Sequence, residues 1–159
     1  MTAGGAVQAA IDRSIIGRAL PTVSATVELA ALQQFARAIG ETDALYFDPE
    51  VARSRGYRAV PAPPTYIVCL KHAVCPPEGL LATLGVEGGS GRLLHAEQSF
   101  EFQEPACAGD RLSFAERVAD VYERKAGLLQ FIVLETTVRN QDARHVAVIR
   151  HTEVLRTDA

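Results

Sequence analysis

Three groups of residues have types and spacings suited to chemistry. The loop Glu41-Thr42-Asp43-Ala44-Leu45-Tyr46-Phe47 gathers two carboxylates and two aromatic rings, and loops held between helices are where binding and catalytic groups concentrate. Glu41 is an acid or base if burial raises its pKa, and a solvated loop carboxylate otherwise. Asp43 suits an Asx-type turn, its side chain accepting backbone N–H groups. Tyr46 carries a hydroxyl donor on an apolar ring, either lining a pocket or packed on the fold. His95 and Glu97 stand two apart, which on a regular strand puts both on one face, where a carboxylate can orient an imidazole; the alternative is a surface or subunit-interface pair. Arg53, Arg55 and Arg58 surround Gly56 as a basic cluster, suited to anionic groups or simply solvated.

Other chemistries are not indicated. His72 falls on a helical stretch beside Lys71, and His145 and His151 fall on the last strand-like run, a distribution that implies no metal site. Cys69, Cys75 and Cys107 are odd in number and lack a C-x-x-C pair, so neither a disulfide framework nor a zinc knuckle is expected. No P-loop and no G-x-G-x-x-G is present to cradle phosphate with backbone amides. Neither metal nor cofactor is expected. The net charge of −3 and pI near 5.8 give no footprint for a nucleic-acid backbone. No apolar run approaches the ~18 residues of a membrane span, and Met-Thr-Ala-Gly-Gly-Ala lacks the basic and apolar regions of a signal peptide. A cytoplasmic location without membrane attachment is the expectation.

The elements that must position these residues can be read from periodicity. The 159 residues, 48% hydrophobic and 22% charged, fit one ordinary globular domain. Residues 1–13 are small and weakly patterned, a loose N-terminal arm, and residues 14–156 form the domain. Glu28 to Ile39 carries apolar residues at spacings of three and four and is followed by Gly40, an amphipathic helix with its left-handed stop. Asp48-Pro49-Glu50 announces a short helix, with Asp as cap and Pro at the first position, ended by Gly56. Val60-Pro61-Ala62-Pro63-Pro64 runs extended. A third helix starts near Pro64, with Tyr66, Ile67, Leu70, Ala73 and Val74 on one side and Val68 and Cys69 making much of the rest apolar, as for a core helix; Pro76-Pro77 stops it.

After Gln98 the period becomes two. Gln98, Phe100 and Phe102 alternate with Ser99, Glu101 and Gln103, the phenylalanines facing inward. Runs at about Leu112–Tyr122, Leu128–Arg139 and Arg144–Leu155 follow, separated by turn signals at Ala108-Gly109-Asp110, Lys125-Ala126-Gly127 and Asn140-Gln141-Asp142. Strands of about a dozen residues span ~40 Å and must curve. The expected architecture is α+β, a curved antiparallel sheet wrapped around one central helix.

The run Phe35 to Tyr46, then Asp48-Pro49-Glu50-Val51-Ala52, then Val60 to Tyr66, continued by Leu93 to Phe100 and Ala108-Gly109-Asp110, resembles the N-terminal hot-dog domain of MaoC-like dehydratases over roughly residues 14–156. The resemblance implies a single hot-dog fold. It is similar, as a stand-alone copy, to the non-catalytic subunits of (3R)-hydroxyacyl-thioester dehydratases. The implied substrate is an acyl thioester of coenzyme A or acyl carrier protein, with Tyr46, Thr65 and Tyr66 as substrate-binding candidates and the arginine cluster facing the coenzyme A phosphates or an acidic carrier. The family's hydratase motif, Gly-Asp-x-Asn-Pro-Leu-His, is altered: aligned on Gly40, Glu41 stands for the catalytic Asp, Asp43 for the Asn, Ala44 for the Pro and Tyr46 for the His. A tyrosine with an ordinary pKa near ~10 is a poor base at neutral pH. The expectation is therefore a substrate-binding subunit that forms a homodimer or pairs with a catalytic MaoC-type hot-dog chain. The alternatives are an autonomous homodimeric hydratase or thioesterase using Glu41, Tyr46 or His95, and a non-catalytic acyl-thioester-binding module.

Overall fold

The computed structural model describes residues 11–75, residue 80 and residues 93–156. Five strands, β1 (Val23–Thr26), β2 (Leu93–Phe102), β3 (Arg111–Arg124), β4 (Leu129–Arg139) and β5 (His145–Arg156), form one antiparallel sheet in the order β1-β3-β4-β5-β2. Three helices lie wholly within the described residues: α1 (Leu29–Ala38), α2 (Pro49–Ser54) and α3 (Tyr66–Val74). This is the hot-dog arrangement, with α3 against the sheet.

The helix signals act as the sequence predicts. Gly40 adopts φ +77° after α1, and Gly56 φ +87° after α2, the left-handed values that a Cβ disfavours. Asp48 accepts from the Glu50 amide at 2.8 Å and caps α2, with Pro49 at its first position. The β3–β4 turn places Lys125, Ala126 and Gly127 all at positive φ. The side chain of Asn140 accepts the amides of Asp142 and Arg144 at 3.0 and 3.1 Å, closing the β4–β5 turn.

Three expectations are corrected, one strand is added, and of the two phenylalanines expected to face inward Phe100 packs against the core while Phe102 is exposed. Residues 1–10 of the N-terminal arm lie outside the described residues, but its last three are held: Ile11 is buried among Val118, Val121 and Ile132 and donates its amide to Gln130 Oε1 at 2.8 Å, while Asp12 caps the 3-10 turn Arg13–Ile15. β1 has no announced pattern, because four residues on an edge are too short to establish a period, yet it pairs with β3 from Val23↔Phe114 to Thr26↔Arg111. β2 begins at Leu93 rather than near Gln98, and a bulge breaks its alternation: His95 pairs with Glu153 while Glu97 pairs with Thr152. The extra residue turns His95 and Glu97 to opposite faces of the sheet. Finally, α3 buries Tyr66, Ile67, Leu70 and Lys71, whereas Cys69 and Ala73 are exposed and Val74 lies at its margin. The sheet beneath the last turn of α3 is polar, so a lysine rather than Val74 faces it. Pro76 and Pro77 lie outside the described residues.

The main core joins Leu32 of α1 and Tyr66, Ile67 and Leu70 of α3 to Leu112, Phe114, Val138 and Ile149 of the sheet. A smaller cluster of Leu45, Ala52 and Val60, with Tyr46 and Tyr57 at its edge, fixes the loop after α1 against α2. No described helix is long and apolar enough to cross a membrane.

Candidate functional site

The cluster of Leu45, Ala52 and Val60 anchors the loop from Glu41 to Phe47, and the loop's own carboxylates shape it. Glu41 Oε1 accepts the amides of Thr42 and Asp43 at 2.8 and 2.9 Å. Asp43 Oδ1 accepts the Leu45 amide at 2.9 Å and caps the 3-10 turn Ala44–Tyr46, while its other oxygen takes Arg55 Nη1 at 2.7 Å. These bonds hold the Asp43 carboxyl below the usual range, the arginine first and the Leu45 amide second. Burying Leu45 in the cluster leaves Tyr46 on a cavity.

That cavity, of about 320 Å³, is lined by Tyr46 and Tyr57, by Ala62, Pro63 and Pro64 before α3, by Ile67 on α3, by Phe102 to Ala106 at the end of β2, and by Val146 on β5. Its size and its apolar walls with a few polar groups suit a small organic ligand or an alkyl chain. The ionisable lining groups are Tyr46, Tyr57 and Glu104. Glu104 is ion-paired with Arg144. Burial, reinforced by Glu41, Tyr57 and Asp43, pushes the Tyr46 phenol above its ordinary value. At neutral pH the Tyr46 phenol is therefore protonated, a group able to donate a hydrogen bond and unsuited to act as a base.

The other candidates do not meet at this cavity. Thr65 is exposed just before α3. Tyr66 is buried, with its ring edge-on to Phe35 at 5.5 Å. Each arginine of the basic cluster is matched within the chain: Arg53 to Glu50, Arg55 to Asp43, and Arg58 to the fully buried Asp110. Among the described residues these three therefore form no unpaired basic patch: Arg53 on α2, Arg55 at its C-terminal cap and Arg58 in the loop beyond each meet a carboxylate, two of which the linear spacing does not reveal.

His95 faces the other end of α3. Its Nδ1 lies 3.5 Å from Glu153 Oε1, and its ring stacks on His151 with centroids 6.0 Å apart. His151 Nε2 lies 3.9 Å from the same oxygen. Lys71, His72, Cys75, Glu116, His151 and Glu153 surround a space of about 20 Å³, room for one water rather than a substrate. Burial first, then the Lys71 charge, pushes His151 down to about 3. Among the described residues no group of histidines, cysteines and carboxylates is arranged to hold a metal.

Tyr57, Ile67, Glu104 and Pro105 are cavity residues that the sequence does not single out. Their segments were legible, the proline run above all, but which side chains face one space depends on how the run meets the end of β2.

The sequence and the fold have relatives. The model of the FAS1-like, dehydratase domain region matches residues 14–149. A UPF0336 protein of Saccharopolyspora erythraea is 31% identical over 150 residues, covering 94% of both chains. The HadBC (3R-hydroxyacyl-ACP dehydratase) complex of Mycobacterium tuberculosis contains a chain that superposes with a TM-score of 0.73 at 27% identity, over 88% of this chain and 96% of that one. The R-hydratase PhaJ1 of Pseudomonas aeruginosa shares the fold, with a TM-score of 0.66 at 19% identity, over 91% and 83% of the two chains. A family model spanning most of the sequence, a full-length relative and the hot-dog topology agree: the chain belongs to the FAS1-like dehydratase domain region family, the MaoC-like hot-dog dehydratases.

Proposed function

We propose that this chain is a subunit of a (3R)-hydroxyacyl-thioester dehydratase, working in the hydration direction as an enoyl-thioester hydratase, that binds the acyl part of the substrate while a second hot-dog chain supplies the catalytic Asp and His. The carrying observation is the cavity's composition. Adding water across an enoyl thioester needs a base to take a proton from water and an acid to protonate Cα. The described lining contains neither histidine nor aspartate, its one carboxylate is matched by Arg144, and Glu41 is occupied by the loop's own amides. What the cavity offers is apolar surface and a tyrosine hydroxyl.

A partner is supported by the β2 edge. Among the described residues this ten-residue strand pairs with β5 on one side only and exposes Leu94 and Phe102, an open edge beside apolar side chains that favours addition of another strand. HadBC, which contains a chain of this fold, is itself a complex, and by analogy the partner here is a homologous hot-dog chain or a second copy. Acid–base elimination requires no cofactor; the coenzyme A or carrier-protein thioester is the substrate.

Hydration of crotonyl-thioester by the purified chain, alone and co-expressed with a catalytic MaoC-type chain, tests the reading. Alone, the chain is expected to be inactive, and with the partner to turn over in the ~1 to 10³ s⁻¹ range typical of enzymes. Turnover in that range by the chain alone overturns the proposal. His95→Ala would then show whether the His95–Glu153 pair carries an autonomous reaction.

A further inference from the structure

Most of the cavity lining comes from two strips of chain that are distant in sequence, with Tyr46, Ile67 and Val146 completing it. One is the segment from Tyr57 to Pro64, and the other runs from Phe102 to Ala106. Their side chains are stiff where it matters, since Pro63, Pro64 and Pro105 stand on the walls and proline fixes φ while offering no N–H. What the prolines do not themselves fix is the separation of the strips. Two backbone hydrogen bonds span it, Ala62 N–H to the Ala106 carbonyl at 2.7 Å and Ala108 N–H to the Val60 carbonyl at 2.8 Å. Pro61 bridges to Cys107 between them.

A side-chain contact ties the first strip to the turn that follows the second. Arg58 directs both terminal nitrogens of its guanidinium at the Asp110 carboxylate, with Nη1 on Oδ1 at 2.5 Å and Nη2 on Oδ2. Asp110 is fully buried. Its Oδ2 also accepts the Cys107 amide at 2.8 Å, and Gln141 Nε2 approaches Oδ1 at 3.4 Å. The carboxylate is thus fixed to the turn that follows the second strip, while the arginine belongs to the first. A two-pronged contact sets orientation as well as distance, which a lysine, a single point charge, does not reproduce.

We infer that the Arg58–Asp110 pair positions the two cavity walls and thereby sets which acyl chains the cavity admits, Arg58 and Asp110 acting as positioning residues that do not touch the ligand. The inference rests on the acyl-binding reading above. It goes further than Arg58 as a phosphate ligand, since both prongs are turned inward.

The test uses the full chain with Arg58→Lys, measuring butyryl- and decanoyl-coenzyme A affinity by calorimetry, amide exchange at Ala62 and Ala108, and the thermal midpoint. R58K is expected to stay folded, to lose about tenfold or more in preference for one chain length over the other, and to exchange faster at those two amides than elsewhere in the sheet. A purely structural pair lowers the midpoint and leaves the folded protein's chain-length preference unchanged, and that result overturns the inference. Wild type that binds neither thioester overturns the acyl-binding reading and, with it, the clamp as a determinant of fit. Wild type that binds with a preference R58K retains overturns the clamp alone. Should R58K unfold, Arg58→Met with Asp110→Asn removes both charges without stranding a buried ion, and the same loss of preference is expected.

Discussion

Lys71 on α3 and Glu116 on β3 form an ion pair in which both side chains are more than nine-tenths buried, and Thr136 Oγ1 donates to the same glutamate oxygen at 3.1 Å. The pair joins the central helix to the sheet at the end away from the cavity. Burying two charges costs more than an exposed pair returns, so such a contact specifies one helix position more than it stabilises it. Lys71→Met strands Glu116 and is expected to cost about 3–5 kcal/mol in urea unfolding. Adding Glu116→Leu is expected to restore a large part of that loss. A double variant as unstable as the two single losses summed would show that the groups do not interact.

The same cluster makes stability depend on pH. His151 faces Lys71 and His72 from α3, His95 from β2 and Glu116 from β3, with Glu153 beside it on β5. Its folded value of about 3 lies below the ordinary 6.5, so between those limits the unfolded chain binds a proton that the native chain refuses. The contribution is present above pH 6.5 and is lost as pH falls toward 3, at up to about 1.4 kcal/mol per pH unit. The thermal midpoint should drop through this window. His151→Gln, which does not titrate, should show a smaller drop, and parallel pH curves for the two proteins would refute the assignment.

Gly40 ends α1 and opens the loop that carries Tyr46. It adopts φ +77° with open space where a Cβ would stand, so only backbone conformation opposes substitution. Gly40→Ala is expected to cost about 1–2 kcal/mol and Gly40→Asn less. Equal stability of both variants with wild type would show that the turn relaxes.

Narrowing the cavity should affect binding before folding. Ala62 lines it while only partly buried, and Ala62→Phe is expected to weaken decanoyl-coenzyme A binding by about tenfold or more, about 1.4 kcal/mol, with an unchanged circular dichroism spectrum. Unaltered affinity would place the acyl chain elsewhere.

The β2 edge should be covered in solution. Light scattering at micromolar concentration is expected to report at least two chains, and Leu94→Lys, which puts a charge on that edge, to shift the population toward monomer. A wild-type monomer would remove the support for a pairing edge.

What the sequence determined by itself is what repeats locally. The three-and-four spacing of α1 with its glycine stop, the Asp48-Pro49 start of α2 and the alternation of the last three strands each lie within one short window, and local backbone preference sets them. The curved sheet around a helix followed from the length of those alternating runs, whereas the hot-dog fold and the altered residues of the Gly40–Tyr46 loop were legible through resemblance to a family, carried by contiguous motifs. β1 was not, since it owes its strand conformation to β3, and the pairing of His95 with Glu97 failed because one bulged residue in β2 reverses every side chain before it. The tertiary structure alone decided which groups meet: Arg58 with Asp110, Glu104 with Arg144, His95 with Glu153, and the two strips that wall the cavity. Those contacts join residues whose separation along the chain carries no periodic signal, and they exist only once strand register and the path of the proline segment have fixed where each side chain arrives.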